Sequence, residues 1–519
     1  MQIAQTVRHA ALLRPDQPAM VDGEIRYSWR QFEARVARIA GGLRALGLGP
    51  GDRVAMLGHN THRYVEFLFA TLWAGGIAVP VNTRWAGPEV RHALDDSGAR
   101  ILVADPDHAE AVEARREEGA ALEHLILAAD ADQRRDGWHH WEDLAAGAPV
   151  DDALRGYDDV ACLFYTGGTT GRSKGVMLTH ANLVTNSMTA MLNMDIREDT
   201  VHLHTSPMFH VAGGARAFSV TLAAGTHVMN SRFDVETFLA TIEREQVTIT
   251  IIVPTMLARL VEYDGLDRFD LSSLHLLSYG ASPMPEALLR RAKERLPGIR
   301  FLQSYGMTEL SPVATVLPPE YHVFEGPDAG YTASAGQPVY NADIMILGED
   351  ERSLPTGEIG EVCVRGPMVM KGYWNLPELT AETLRGGWMH TGDAGYLDER
   401  GFLFIVDRVK DMIVSGGENV YSAEVEDAIY LHPEVAECAV VGIPDERWGE
   451  AVHAVVVPRA GSRPTAESII EHCRTRIAGY KCPRTVEFRD EELPRSGPGK
   501  ILKTELRAPH WAGRERRLN

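Results

Sequence analysis

Short apolar runs alternate with amphipathic stretches of helical length along residues 28–104, and this alternation restricts the fold more than any other feature of the chain. Ser28 with Gln31 three residues on is a capping box. Phe32, Val36, Ile39, Leu43 and Leu46 then recur four and three residues apart until Gly47 ends the helix. An apolar run at 54–57, a helical stretch at 64–74, a run at 77–81, a helical stretch at 88–96 and a run at 101–104 follow. Strands joined by helices in units this short lie parallel and are covered by those helices. The same grammar returns with the β-branched run 248–253, Pro254 at a permitted helix start, a strand at 274–279, a helix at 285–296 and a strand at 300–305. From 333 to 406 short runs are broken by Gly, Pro and Asp, the texture of a small β-rich subdomain. Residues 105–150 hold most of the loop-like material. The chain is expected to divide into a domain at 1–407, a hinge at 408–412 and a second domain at 413–519.

Charge and cysteine content remove several functions. Among 519 residues, 52 Lys and Arg face 72 Asp and Glu, a net charge of −20 that argues against broad nucleic-acid binding. The five cysteines are scattered with no CxxC pair, which makes a poor zinc site or disulfide framework and suits a reducing compartment. The most apolar stretch, 67–81, is too short for a spanning helix and contains Gly75, Gly76 and Pro80. The first twenty residues lack the apolar core of a signal peptide, and the last residues match no peroxisomal or prenylation signal. A cytoplasmic protein without an integral membrane segment is the expectation.

The sharpest motif is YTGGTTGRSKG at residues 165–175. Its glycines let the backbone approach an anion, while Thr166, Thr169, Thr170 and Ser173 supply hydroxyls and Lys174 a positive charge. That is a phosphate cradle; a pliable surface turn is the plainer reading. The spacing is not that of the P-loop, because no Gly precedes the Lys.

This loop resembles the phosphate loop of the adenylate-forming enzymes, a family that includes acyl-CoA synthetases and peptide-synthetase adenylation domains. Gly167 and Ser173 stand where the usual family form has Ser and Pro, so the loop loses one hydroxyl contact and gains pliability. Six further motifs follow in family order: PMFH (207–210), GASP (280–283), QSYGMTE (303–309), WMHTGD (388–393), DRVKDM (407–412) and PRSGPGKI (494–501). The likeness covers essentially the whole chain and is nearest to bacterial fatty-acyl-CoA synthetases. It implies an α/β fold with a large N-terminal domain of two doubly wound sheets plus a distorted β-barrel, a hinge, and a small mobile α+β C-terminal domain.

By that resemblance a carboxylate attacks the α-phosphorus of ATP, pyrophosphate leaves, and the thiol of coenzyme A then attacks the acyl-adenylate. Both reactants of the first step are anionic, so catalysis rests on positioning and charge neutralisation. The family motif gives Lys500 the task of bridging carboxylate and phosphate; without the other motifs it reads as a solvated tail lysine. Glu309 and Thr170 are implied ligands of Mg2+, a cation that prefers oxygen. The resemblance also implies that Thr308 bonds the α-phosphate and that Thr166, Gly167, Gly168, Thr169, Thr170, Gly171 and Lys174 surround the phosphates. Gly280, Ala281, Ser282, Ser304, Tyr305, Gly306 and Met307 are implied at the adenine, and Asp393 with Arg408 at the ribose, although a Gly-Asp pair is otherwise an ordinary turn. Lys410 occupies the hinge position. His210, at what reads as a strand end, is implied to gate the acid, against the plainer reading of a core histidine.

Gly416 and Gly417 sit in a segment resembling the loop that admits pantetheine. Arg84, Trp448, Tyr480 and Lys481 are the candidates for the nucleotide end of coenzyme A, each equally readable as packing. Phe209, Val211, Gly213, Gly214, Val253, Pro254 and Met307 are expected to line an acyl pocket. His210 and Arg216 are the only basic residues in its segments. A monocarboxylic acid with an apolar tail is therefore expected, medium-to-long aliphatic first and aryl or arylpropenoic second. Loading of a separate carrier protein, and a non-catalytic nucleotide-binding scaffold, are the competing functions. The family suggests a homodimer.

Overall fold

A computed structural model of the chain describes residues 2–117, 122–166, 172–282, 284–408, 411–415, 418–445, 447–495 and 501–512. Two compact units divide it, Met1–Asp343 with Arg365–Met389 and Ile344–Val364 with His390–Asn519. The architecture is mixed α/β, with a large N-terminal and a small C-terminal domain.

Two sheets organise the larger unit. In the nine-stranded one, Thr226–Met229, Val201–His204, Ile249–Ile252, Leu276–Gly280 and Arg300–Tyr305 lie side by side and parallel. The hairpin of Pro18–Asp22 and Ile25–Ser28 extends one edge, and Thr315–Leu317 and Gln337–Pro338 extend the other antiparallel. The eight-stranded sheet has Val160–Thr166, Ile77–Pro80, Arg53–Leu57, Ile101–Ala104 and His124–Leu127 parallel, with Lys174–Thr179 returning antiparallel beside Val160–Thr166. Gly372–Tyr373 pairs with Lys174–Thr179 at its edge.

Helix His62–Ala74 is buried along its entire length. Its core is shared by Ala19, Met20 and Met229 of one sheet and Val54, Met56, Ala161 and Phe164 of the other. A helix in that position has no solvent face, so each charged group it carries needs a partner, since an uncompensated buried charge costs about 3–5 kcal/mol. His62 Nδ1 lies 2.7 Å from Asp22, Arg63 reaches Asp130 at 2.8 Å and Glu142 at 3.0 Å, and Trp141 Nε1 donates to Glu66 at 2.8 Å.

The helix predicted from Ser28 runs Trp29–Ala45 with its capping box formed. The hairpin at 18–28 has no counterpart in the periodicity, because its strands are short and partly exposed. Residues 105–150, expected as loop, instead carry helices Ala109–Glu117 and Trp141–Ala145 and strand His124–Leu127. That strand has only four residues, paired on one side with Ile101–Ala104 and on the other with His139–His140, and is too brief for a pattern to declare itself.

The smaller unit holds a four-stranded sheet of Asp343–Leu347, Gly360–Arg365, Met389–Leu397 and Leu403–Arg408, at the place in the chain where a distorted barrel was implied. A five-stranded sheet follows, centred on Val435–Asp445 and Gly449–Pro458. Alternate residues of Val435–Asp445 face two cores. Cys438 and Val440 join one that helices Ser422–Tyr430 and Ala466–Arg474 cover, and Ala439 and Val441 join another under helix Lys503–Trp511. Among the described residues no helix is long and apolar enough to cross a membrane.

Candidate active site

Parallel strands of an open α/β sheet gather ligand-binding residues at their carboxyl ends. Gly280 and Ser304 are register partners at the ends of two such neighbouring strands. A Cβ on Gly280 would lie 2.4 Å from the Ser304 carbonyl oxygen, and one on Gly306 would lie 1.9 Å from that of Pro312. Only glycine lets these turns pass so close. Ala281 adopts φ +67°, turning the chain away from the strand end, with Ser282 next. Ser304 Oγ is buried without a hydrogen-bond partner among the described residues, which suits a group awaiting a polar ligand. Tyr305, Gly306 and the extended Met307 lead into a single 3-10 turn, Thr308–Leu310.

Glu309 is buried there, and its Oε1 accepts a 2.8 Å hydrogen bond from Tyr373 Oη. A buried carboxylate fits a hard cation such as Mg2+. Lys174 Nζ sits 4.9 Å from the centre of the Tyr373 ring. Tyr373 thus brings together a lysine and a carboxylate that are far apart in sequence. Burial and the neighbouring Glu309 raise its phenol, which keeps it a donor. Sequence reasoning missed this residue, because no motif marks it.

Thr166 and Lys174 face each other as a cross-strand pair of two antiparallel strands. Gly167, Gly168, Thr169, Thr170 and Gly171 lie outside the described residues. The ends of the loop are fastened: Tyr165 Oη donates to Asp96 at 2.6 Å, and His92 Nε2 lies 2.8 Å from the Ser173 carbonyl.

The apolar run before His210 predicted a strand end, but the strand stops at His204 and a turn follows. Asn60 ties that turn down, donating to the Ser206 carbonyl and accepting from Met208 N–H, both at 2.9 Å. His210 is the N-cap of helix Val211–Leu222, its ring 4.4 Å from that of Phe209. Gly213 and Gly214, predicted as pocket lining, have a packing reason of their own. A Cβ on either would meet the Pro207 or Met208 carbonyl oxygen at 2.5 or 2.6 Å. Phe209 and Val211 are buried, and Val253 caps the helix that Pro254 begins. Arg216 is turned toward Met194 Sδ, 3.1 Å away, and burial pushes its guanidinium down to about 10.

In the smaller unit Asp393 is buried and pairs across the ladder with Arg408, whose side chain lies outside the described set. Glu361 presents it, accepting from Gly392 N–H at 3.0 Å with His390 Nδ1 2.8 Å away, while Gly392 takes φ +69°. Lys410, Gly416, Gly417 and Lys500 lie outside the described residues. Trp448 carries the guanidinium groups of Arg447 and Arg484 at 4.7 and 5.1 Å from its ring. Tyr480 is exposed, and Lys481 beside it holds both oxygens of Glu424 at 2.7 Å. Arg84, in the larger unit, is exposed with its N–H donating to Asn82 at 2.9 Å.

The sequence pattern of the AMP-binding enzyme family matches residues 7–374, and that of the AMP-binding enzyme C-terminal domain matches 424–500. The chain is 44% identical to a feruloyl-CoA synthase of an Amycolatopsis species over 498 residues, covering 96% of each chain. It is 38% identical to the fatty acid–[acyl-carrier-protein] ligase ScoC of Streptomyces coeruleorubidus, over all of this chain and 98% of that one. Among solved structures, ATP-bound MatB from Rhodopseudomonas palustris superposes with a TM-score of 0.87 at 32% identity, covering 98% of this chain and 99% of the other.

Proposed function

The chain belongs to the AMP-binding enzyme family and is an AMP-forming acyl-CoA synthetase that uses ATP and coenzyme A, and from that premise we propose that its acid is an arylpropenoic acid. The observation that carries this choice is the 44% identity, extending over nearly the whole of both chains, with a feruloyl-CoA synthase. The residues alone favoured an aliphatic acid first; the likeness favours the aryl acid.

We assign the steps to this chain's residues as follows. The acid carboxylate is deprotonated at neutral pH and needs no base. Lys500 neutralises the repulsion between it and the α-phosphate, and Thr308 bonds that phosphate. Lys174 and the hydroxyls and amides of 166–171 hold the phosphates that depart as pyrophosphate. Glu309, with Thr170, would hold Mg2+, which supplies charge neutralisation on the phosphates when bound. Gly280, Ala281 and Ser282 with Tyr305 seat the adenine, and Asp393 with Arg408 accepts the ribose hydroxyls. Rotation about Lys410 then withdraws Lys500, and Gly417 leaves room for the thiol arm. The second domain boundary is accordingly placed at 408–412. The cytoplasm is the proposed location.

A second reading is loading of an aliphatic acid onto a carrier protein, favoured by the likeness to ScoC. Acid-dependent pyrophosphate release over a panel of hydroxycinnamic, benzoic and aliphatic acids tests both, followed by mass detection of the thioester with coenzyme A or with a purified acyl carrier protein. Ferulic acid turning over fastest with coenzyme A supports the first. An aliphatic acid preferred tenfold, or transfer only to carrier, replaces it with the second.

A further inference from the structure

We propose that His453, Glu487 and His510 form a Zn2+ site in the smaller unit that ties its C-terminal helix to its five-stranded sheet. His453 lies on strand Gly449–Pro458, Glu487 on the adjoining strand Thr485–Phe488, and His510 near the end of helix Lys503–Trp511. One ligand atom from each lies within 4.8 Å of the other two. A tetrahedral zinc with bonds of about 2.0–2.2 Å needs its ligand atoms about 3.3 Å apart, which small side-chain rotations reach.

The independent mark of a ligand is the state of His453. Its side chain is 6% exposed, and Nε2 is buried with no hydrogen-bond partner. Nδ1 is 2.7 Å from Thr485 Oγ1, and with Nδ1–H donating to that hydroxyl Nε2 keeps its lone pair for a cation. Glu487 Oε2 is 3.7 Å from that nitrogen. Arg489 holds the other carboxylate oxygen at 2.8 Å, so Oε2 is the one available to a cation. The His510 ring centre stands 4.8 Å from that of His453. Glu487 and His510 are partly exposed, which gives a cation its entry and a water its fourth position. Two imidazoles and one carboxylate are a borderline donor set that suits zinc over magnesium or calcium.

Two other clusters are already committed. Asp105 spends both oxygens on His59 and His108, at 2.7 and 2.5 Å, and Arg232 faces His59. Glu361, beside Cys363 and His390, spends its carboxylate on the turn that presents Asp393.

The test is titration of the full chain, stripped by a chelator, with Zn2+ against a chromogenic competitor, and with Co2+ for its visible absorption. One Zn2+ per chain is expected. His510→Ala and Glu487→Gln should each weaken it at least ~100-fold, and Thr485→Val, which releases the positioning hydroxyl, about 10-fold. A tetrahedral Co2+ spectrum lost in His510→Ala supports the site, with circular dichroism confirming that this partly exposed position leaves the fold unchanged. No zinc bound by the native chain, or the same affinity in His510→Ala and Glu487→Gln, overturns it.

Discussion

Two clusters, one in each unit, bury polar side chains in opposite ways. Beneath helix Val211–Leu222 of the larger unit, His202, His204 and His227 are sealed from solvent with Arg216. His204 Nε2 and His227 Nδ1 are 3.0 Å apart, and Thr221 lies 3.0 Å from the far nitrogen of His227. No carboxylate joins Arg216 among the described residues, and its Nε has no partner. Burial drives all three histidines down, His204 to about 3 with the Arg216 field adding to the effect, so the string is neutral. The cluster around Lys503 in the smaller unit keeps its charges and pairs them. Lys503 Nζ lies 2.7 Å from Glu426 and 2.5 Å from Ser422 Oγ, and Ser422 donates to Asp407 at 2.7 Å. Burial alone would lower the Lys503 ammonium, but Glu426 and Asp407 hold it above its usual range. One region avoids the desolvation cost by giving up charge, the other offsets it by pairing. The first suits a scaffold that need not move. The second concentrates directional bonds around the helix that begins just after Lys500.

The strongest way to break this contrast is Lys503→Met. Among the described residues it leaves the buried Glu426 carboxylate with only the Val440 N–H at 2.7 Å, and should cost about 3–5 kcal/mol in urea denaturation. Adding Glu426→Gln should recover most of that loss, whereas a persistent loss would mean the lysine acts through packing.

Acid separates the regions next. The histidines have folded pKa values depressed below the unfolded value of about 6.5, so their contribution is complete above that value and is lost as pH falls below it, for His204 down to about 3. Each should tilt stability by about 1.4 kcal/mol per pH unit, about 4 for the three together. His204→Asn should lessen the slope measured between about pH 6.5 and 5 by one such share. An unchanged slope would show that the string is not the titrating element.

Arg216→Met carries the smallest effect and the opposite sign to Lys503→Met. Removing a buried cation that has no carboxylate should leave stability unchanged or raise it by about 1 kcal/mol. A loss above about 2 kcal/mol would reveal a partner that the histidine string conceals.

Local rules made much of the fold legible before any coordinates. The Ser28–Gln31 box, Pro254 at a helix start and the run at 300–305 act through near neighbours, and each element stands where its pattern placed it. The misses are long-range. Strand Pro18–Asp22 exists because Thr226–Met229 offers it an edge, and His210 caps a helix because Gly213 and Gly214 fit beneath two carbonyls. In the candidate site, Gly280, Ser304, Gly306 and Glu309 were readable because each belongs to a motif with a defined spacing. Tyr373 was not, because its link to Glu309 and Lys174 is a tertiary contact that no spacing encodes.

Lys500 is proposed to serve adenylation alone and to leave the site for thioester formation. The direct measurement is both half-reactions in Lys500→Ala, with ferulic acid and ATP for the first and supplied feruloyl-adenylate with coenzyme A for the second. Acid-dependent pyrophosphate release should fall at least ~100-fold while thioester formation stays within a few-fold of the native chain. Equal loss of both would contradict the account.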